Sequence, residues 1–138
     1  MSIVFQIGTA EKNNKEIVYR KSIEVVASKG IIGDRYFHDY NGDREQITLI
    51  ESENIDYYNK KFNTNFNYLE FRRNIITKNI KLNDLNGKLI FVGDIKLKVN
   101  DLCRPCKELQ DRLGKGNIIK EFLRRGGLRC EILSSGTI

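Results

Sequence analysis

Two cysteines three positions apart, Cys103 and Cys106, form the segment of this sequence best suited to chemistry. The segment CRPC follows the alternating stretch IKLKV and precedes KELQDRL, which has a helical pattern. Cys106 is therefore predicted to lie at the start of a helix, where unpaired backbone N–H groups stabilise a thiolate. A thiolate is a soft ligand for thiophilic metals and can also carry sulfur as a persulfide. Cys130 lies in an apolar stretch and is interpreted as a core residue.

Three kinds of site remain open for CRPC: structural zinc, a redox dithiol, or a single reactive cysteine. Structural zinc takes four ligands, and beyond the two cysteines of CRPC the sequence offers only Cys130 and His38. A thioredoxin-like dithiol needs a βαβ context, whereas the surrounding pattern is that of a hairpin. The three cysteines are an odd number, which argues against a structural disulfide framework.

The loop GIIGDR (30–35) combines glycines with a carboxylate and a guanidinium. Its glycines permit close approach of the backbone to a ligand. Asp34 can accept from ring or amide N–H groups, and Arg35 can bind an oxyanion through two N–H groups. Arg44 and Gln46 in REQITLI lie two positions apart, which places them on one face of a strand. Each feature is also compatible with an ordinary solvated turn or strand.

The segment FRRNIIT (71–77) is predicted to begin a strand. Alternation then places Arg72 and Asn74 on one face and Arg73 on the other, towards solvent. A guanidinium suits phosphate, and a carboxamide supplies both a donor and an acceptor to the edge of a heterocycle. Arg72 and Asn74 are thus candidate ligands for a phosphate-bearing heterocycle.

The composition favours one globular domain over residues 1–138. The net charge of +6 favours anionic partners, but the basic residues are spread along the chain, which argues against a nucleic-acid-binding arm. No apolar run approaches the ~20 residues that span a bilayer. The first residues, MSIVFQIGTAEKNNK, lack the pattern of a signal peptide, so a cytoplasmic location is expected.

Short alternating strands dominate the remaining pattern, which predicts a mainly β fold of the barrel or rolled-sheet type with about three short helices. Strands are expected at 3–7, 17–27, 46–50, 74–80 and 129–133, with a hairpin at 89–99 around Gly93-Asp94. Helices are expected from about Ser52 to Phe62, over 107–113, and from about Asn117 to Gly126-Gly127, the last with Ile119, Phe122 and Leu123 on one face.

In this order the segments resemble the MOSC family, which is named after the C-terminal domain of molybdenum cofactor sulfurase. They are GIIGDR, REQITLI, FRRNII, LNGKLIFVGDIKLKV, CRPC and a late Gly-rich strand, and they span roughly residues 20–138. The resemblance implies a β-barrel with a cleft for the molybdenum cofactor (molybdopterin). Family members either reduce N-hydroxylated bases or related substrates with this cofactor, or transfer sulfur to it.

The resemblance also implies roles for individual residues. The family's cysteine corresponds to Cys106, as a molybdenum ligand or persulfide carrier. Its arginine and asparagine correspond to Arg72 and Asn74, which would bind the phosphate and the pterin. The remaining cofactor-binding positions correspond to Gly33, Asp34, Arg35, Arg44 and Gln46.

The sequence departs from the family pattern at two points. Tyr36 stands where many members have a histidine, which puts a role for His38 in doubt, and the chain ends at SSGTI, where many members continue through another turn and strand. No segment has the size of a pyridoxal-phosphate-dependent desulfurase domain, so no pyridoxal phosphate is expected. Any catalysis would therefore need a separate sulfur donor or electron-transfer protein, and a non-catalytic carrier of cofactor or sulfur is the alternative.

Overall fold

Short strands build most of the molecule, as alternating apolar residues predict. The computed structural model describes residues 1–38 and 46–138. Within these residues the strands are β1 (Ile3–Thr9), β2 (Val18–Arg20), β3 (Glu24–Val26), β4 (Gly30–Ile31), β5 (Ile47–Glu51), β6 (Ile75–Lys78), β7 (Leu89–Val92), β8 (Ile95–Leu102), β9 (Leu128–Ile132) and β10 (Gly136–Thr137).

The strands form one large and one small sheet. The large sheet has seven strands in the order β2-β1-β6-β5-β9-β8-β7, and the small one has the order β10-β3-β4. Neighbouring strands are antiparallel except β5 and β6, which are parallel and joined through a helix. The large sheet curls into a half-barrel, so the predicted mainly β, barrel-like fold is confirmed.

The inner face of the half-barrel forms the larger hydrophobic core. Leu49, Ile75 and Leu97 of the large sheet are buried there with Val25 and Ile31 of the small sheet. Since alternate side chains of a strand point to opposite faces, the small sheet must cover the inner face of the large one. The two sheets therefore enclose the core between them.

Three α-helices pack on the other face of the large sheet: α1 (Ser52–Phe62), α2 (Lys107–Leu113) and α3 (Ile118–Glu121). They bury a second core in which Ile50 and Ile76 of the sheet meet Tyr58, Leu109 and Phe122. Asn63 and Gly114 adopt left-handed conformations that end α1 and α2. No helix in the described ranges has the length and apolar character to cross a membrane.

Helices α1 and α2 span the residues that the sequence predicts, whereas two other elements differ. The expected strand 17–27 is divided into β2 and β3, and α3 ends at Glu121 instead of continuing to the glycine pair. The helical pattern placed Phe122 and Leu123 on one face, but α3 ends before them, and Phe122 is buried whereas Leu123 is exposed. The helix N-cap expected at Ser52 is Glu51.

Candidate functional site

The CRPC segment connects β8 to α2, and it places its two cysteines in different environments. Cys106 is the residue that precedes α2; its carbonyl oxygen accepts from the N–H of Gln110 at 3.1 Å and its side chain makes no capping hydrogen bond. Cys106 is exposed and carries a free thiol. Cys103 is buried, and its N–H donates to the carbonyl oxygen of Gly127 at 2.7 Å. Cys106 is thus the cysteine of the pair that a ligand can reach.

Two adjacent glycines, Gly126 and Gly127, lie close to backbone atoms of neighbouring segments, including this one. A Cβ atom on Gly126 would lie 2.2 Å from the carbonyl oxygen of Cys103. Gly127 has a φ of +94°, and a Cβ atom there would lie 1.7 Å from the carbonyl oxygen of Leu49. Contacts this short with backbone atoms exclude any side chain, so the backbone just before β9 packs directly against the backbone at Cys103 and at Leu49.

Arg73 is hydrogen-bonded to the first glycine of this pair. The prediction that its side chain faces solvent is wrong. It is buried, and it donates from Nε to the carbonyl oxygen of Gly126 at 2.9 Å and from Nη1 to that of Phe71 at 3.2 Å. Arg72 has a positive φ of 63°, and β6 begins only at Ile75. The regular alternation assumed for a strand therefore does not extend back to the two arginines.

Asn74 is fully buried, and its side chain bonds to protein groups on all sides. Its Oδ1 accepts from the N–H and the hydroxyl of Thr48, at 3.1 and 3.2 Å. Its Nδ2 donates to the carbonyl oxygen of Gly8 at 3.1 Å and to Oδ1 of Asp34 at 3.4 Å. This carboxamide therefore joins β1, β5 and the GIIGDR loop, and it does not share an open face with Arg72 as alternation predicted.

Asp34 fastens the GIIGDR loop to the end of β1. Its carboxylate accepts from the N–H groups of Ala10 and Tyr36, at 3.0 and 3.4 Å. The same carboxylate pairs with Nη1 of Arg35 at 3.2 Å, and Nη2 of Arg35 donates to the carbonyl oxygen of Arg72 at 3.0 Å. Asp34 is buried, so it acts on the site by holding Arg35 in place.

The other residues assigned to the cofactor differ in their surroundings. Gln46 is fully buried, and its Oε1 accepts from the N–H of Ile132 at 2.8 Å. Gly33 is exposed in a turn with a φ of +87°, and nothing lies within 4 Å of the position of a Cβ atom. Arg44 lies outside the described residues.

Three arginines that are remote in sequence form a cationic cluster. Arg72 donates from Nη1 to the carbonyl oxygen of Lys15 at 2.6 Å and from Nη2 to that of Asn13 at 2.9 Å, and Arg112 donates to the same oxygen of Asn13 at 3.3 Å. Burial lowers the pKa of the Arg72 guanidinium, and the positive charges of Arg35 and Arg112 lower it further. Positive charges held close together favour the binding of an anion between them.

Sequence reasoning found Arg35 and Arg72 but missed Arg112. Arg112 lies on the side of α2 that faces Arg72, together with Glu108 one helical turn earlier. The only sequence signal was this Glu-Arg pair four positions apart, which is ordinary on an exposed helix.

A cleft of about 750 Å³ lies beside the cluster, and Arg72 and Arg112 are part of its wall, as are Phe66 and Tyr68. Cleft volumes of ~300–1,000 Å³ are typical of small-molecule sites. Cys106 does not line this cleft. It lies six residues before Arg112, about 9 Å along the axis of α2 at 1.5 Å per residue. A ligand touching both would have to extend along the helix.

Within residues 1–38 and 46–138, no group of three His, Cys, Asp or Glu side chains is placed to hold a metal ion. Neither Cys103 nor Cys106 forms a disulfide bond.

The buried carboxamide network predicts that Asn74→Ala destabilises the fold. The substitution leaves the Thr48 N–H and the Gly8 carbonyl without partners, and each such buried group costs about 1–3 kcal/mol. We expect the free energy of unfolding, measured by denaturant titration, to fall by about 2–6 kcal/mol. Asn65→Ala, at an exposed asparagine, is the control and should change it little. An Asn74→Ala protein as stable as this control would contradict the network.

The environments of the three thiols predict their order of alkylation. Burial, with contributions from Cys103 and Asp101, raises the pKa of the Cys130 thiol to about 12, whereas Cys106 is exposed. The raised pKa keeps the Cys130 thiol protonated at neutral pH, and its burial keeps the reagent away from it. We expect iodoacetamide to label Cys106 first, as followed by peptide mapping.

The control for this labelling experiment is the protein in denaturant, where all three thiols should react at similar rates. If Cys130 reacts as fast as Cys106 in the folded protein, the burial described here is wrong.

Comparison with known proteins agrees with this architecture. The fold is similar to YuaD from Bacillus subtilis, with a TM-score of 0.80 and 16% identity over 100% of this chain and 91% of that one. It is also similar to YiiM from Geobacillus stearothermophilus, with a TM-score of 0.76 and 16% identity over 100% of this chain and 71% of that one. YiiM from Escherichia coli gives a TM-score of 0.71 and 16% identity over 97% of this chain and 65% of that one.

These identities establish similarity of fold alone. No curated protein sequence matches the chain. A model of the MOSC domain family, however, matches residues 37–138, which include β5 to β10, the three helices and the CRPC segment. The match begins just after the loop that holds Asp34 and Arg35. Because it covers most of the sequence, this chain belongs to the MOSC domain family.

Proposed function

We propose that this protein binds the molybdenum cofactor or handles its sulfur, with Cys106 as the metal ligand or persulfide carrier. The family is associated with this cofactor. The observation that carries the proposal is the free, exposed thiol of Cys106 at the residue that precedes α2. A ligand can reach this thiol from solvent.

The residues present fit the cofactor in their chemistry. Molybdenum accepts a soft thiolate donor, and the side chain of Cys106 has no capping hydrogen bond to give up. The cofactor also carries a phosphate, for which guanidinium groups are the preferred side chains. Arg35, Arg72 and Arg112 supply three of them, and their present partners are mostly backbone carbonyls. The cluster therefore keeps its net positive charge.

The proposed roles of the other residues follow from their contacts. Asp34 and Asn74 position the ligand-binding groups, because their polar atoms are already bonded to Ala10, Thr48 and Gly8. Gln46 ties β5 to β9 in the same way. Direct contact of Gly33 or Arg44 with the cofactor stays a proposal that rests on the family resemblance.

Two activities are compatible with such a site. When bound, the cofactor would supply two-electron redox chemistry, and the protein would need a separate electron donor to reduce an N-hydroxylated substrate. Alternatively, the Cys106 thiolate would attack the outer sulfur of a persulfide on a separate donor, releasing the donor's thiolate, and the resulting Cys106 persulfide would pass this sulfur on. The exposure of Cys106 supports this second function, because a protein partner can reach the thiol.

Substitution of the cysteine tests the proposal directly. The protein is to be made in a host that synthesises the cofactor, and molybdenum, pterin and persulfide content are to be measured. We expect Cys106→Ser to lose bound molybdenum or persulfide while keeping the thermal stability of the native protein. Cys103→Ala is the matched control and should retain its bound molybdenum or persulfide. Equal loading of native protein and Cys106→Ser would rule out this role for Cys106.

Substitution of the arginines tests the phosphate contact separately. We expect Arg72→Ala and Arg112→Ala each to lower cofactor affinity about ten- to a hundredfold, since an ionic hydrogen bond contributes ~1.5–3 kcal/mol. Arg124→Ala removes an exposed guanidinium elsewhere and should have no effect. Unchanged pterin content in both cluster variants would show that the phosphate binds at another place.

A further inference from the structure

Positive charge is more concentrated in the segment that carries Cys106 than in the rest of the chain. Residues 104–125 contain seven of the 24 lysines and arginines but only three of the 18 acidic residues. This segment therefore holds most of the net charge of +6, and over the remaining residues positive and negative charges nearly balance. A partner that approaches Cys106 meets this positive charge first.

Two of these cations flank the exposed thiol directly. Arg104 stands two positions before Cys106 and Lys107 one position after it, and all three residues are exposed. The Lys107 side chain is 81% exposed, so its ion pair with Asp111 is weakened by solvent and its ammonium group can still contact a partner.

The end of the same segment lies beside its start. Arg125 precedes Gly126, where a Cβ atom would lie 2.2 Å from the carbonyl oxygen of Cys103. Because neighbouring Cα atoms are about 3.8 Å apart, this contact keeps Arg125 within about 21 Å of Cys106. The Arg125 guanidinium lies over the ring of Tyr57 in α1 at 4.4 Å, and so on the helical side of the large sheet. A protein interface of standard size, roughly 30 Å across, is wide enough to include both Arg125 and Cys106.

The side chains of this surface fit a protein partner better than a nucleic acid. Tyr57 is 44% exposed, but its ring is covered by Arg125 and is not free to stack on a base. Glu108 is exposed among the cations and would repel a phosphate backbone. Leu123 is 54% exposed and offers an apolar contact. Tyrosine, arginine and apolar side chains together are typical of protein interfaces.

We infer that the sulfur donor of Cys106 is a protein that carries its persulfide on an acidic surface, and that this surface docks on Arg104, Lys107 and Arg125. The inference rests on the proposed function, in which Cys106 takes up sulfur from a separate donor. Opposite charges on the two surfaces speed their encounter and orient it. The Cys106 thiolate then attacks the outer sulfur of the donor persulfide, the S–S bond of the donor breaks, and the donor cysteine leaves as a thiolate.

Synthetic donors of different charge test this docking on the full chain. Two peptides carry a cysteine persulfide, one between glutamates and one between lysines, and the persulfide of 2-mercaptoethanol is the reference without charged neighbours. Loading of Cys106 is followed by mass spectrometry. At low ionic strength we expect the acidic peptide to load Cys106 at least about tenfold faster than the basic one. The difference should disappear near ~1 M salt, where charges are screened beyond about 3 Å.

Variants of the docking cations identify the surface. Arg104→Gln combined with Arg125→Gln should lower the rate with the acidic peptide, relative to the reference donor, about five- to tenfold. Normalising to the reference donor removes any change in the reactivity of the thiol itself. Arg104→Lys combined with Arg125→Lys retains the charge and should retain most of the rate. Lys21→Gln combined with Lys29→Gln removes the same charge beside the small sheet and is the matched control, with no change expected.

The two proposals fail in different ways. If the reference donor does not load Cys106, the persulfide function itself is wrong. If the reference donor loads Cys106 but the acidic and basic peptides react equally fast, or the glutamine variants leave their ratio unchanged, only the docking inference is overturned. Binding of a short single-stranded DNA that the same glutamine variants abolish would assign the surface to a nucleic acid and would also overturn it.

Discussion

The carboxamide of Asn74 is the polar contact on which the arrangement of the site depends. It joins the ends of β1 and β5 to the loop of Asp34, and no water molecule has to complete its bonds. A buried amide is stabilising only when all its groups are paired, so this network tolerates few alternative positions of the strands it joins. Asp34, which Asn74 contacts, pairs with Arg35 and so fixes the position of its guanidinium. Because Arg35 donates to the carbonyl oxygen of Arg72, the position of the cationic cluster also depends on this network.

The site has two parts with different physical support. The start of the CRPC segment, at Cys103, packs closely against Gly126 and donates its N–H to the carbonyl oxygen of Gly127. The arginine cluster is placed by hydrogen bonds to carbonyl groups of the connection between β1 and β2, notably at Asn13. Packing of the first kind is rigid, whereas carbonyl acceptors can be exchanged for a stronger anionic acceptor. The start of the CRPC segment is therefore the fixed part of the site, and the cluster is the adaptable part.

Local signals account for what the sequence predicted correctly. The helix at Ser52–Phe62, the helix that ends at Gly114 and the hairpin around Gly93 are each specified by periodicity and turn residues within a few positions. The environments of Arg72 and Arg73 were not predictable in this way. A positive φ at a non-glycine residue leaves no mark in the sequence, and the partner of Arg73 lies 53 positions away. Arg112 joins its cluster only through the tertiary fold.

The pairing of β10 with β3 has a consequence for the order of events during synthesis. Ile23 and Ile138 exchange two backbone hydrogen bonds, of 3.0 and 2.9 Å, so the small sheet joins residues separated by more than a hundred positions. β10 can pair with β3 only after the segments between them have been made, and contacts so distant in sequence close slowly. Closure of the small sheet over the inner core therefore belongs to the late steps of folding, after the local β7–β8 hairpin can form.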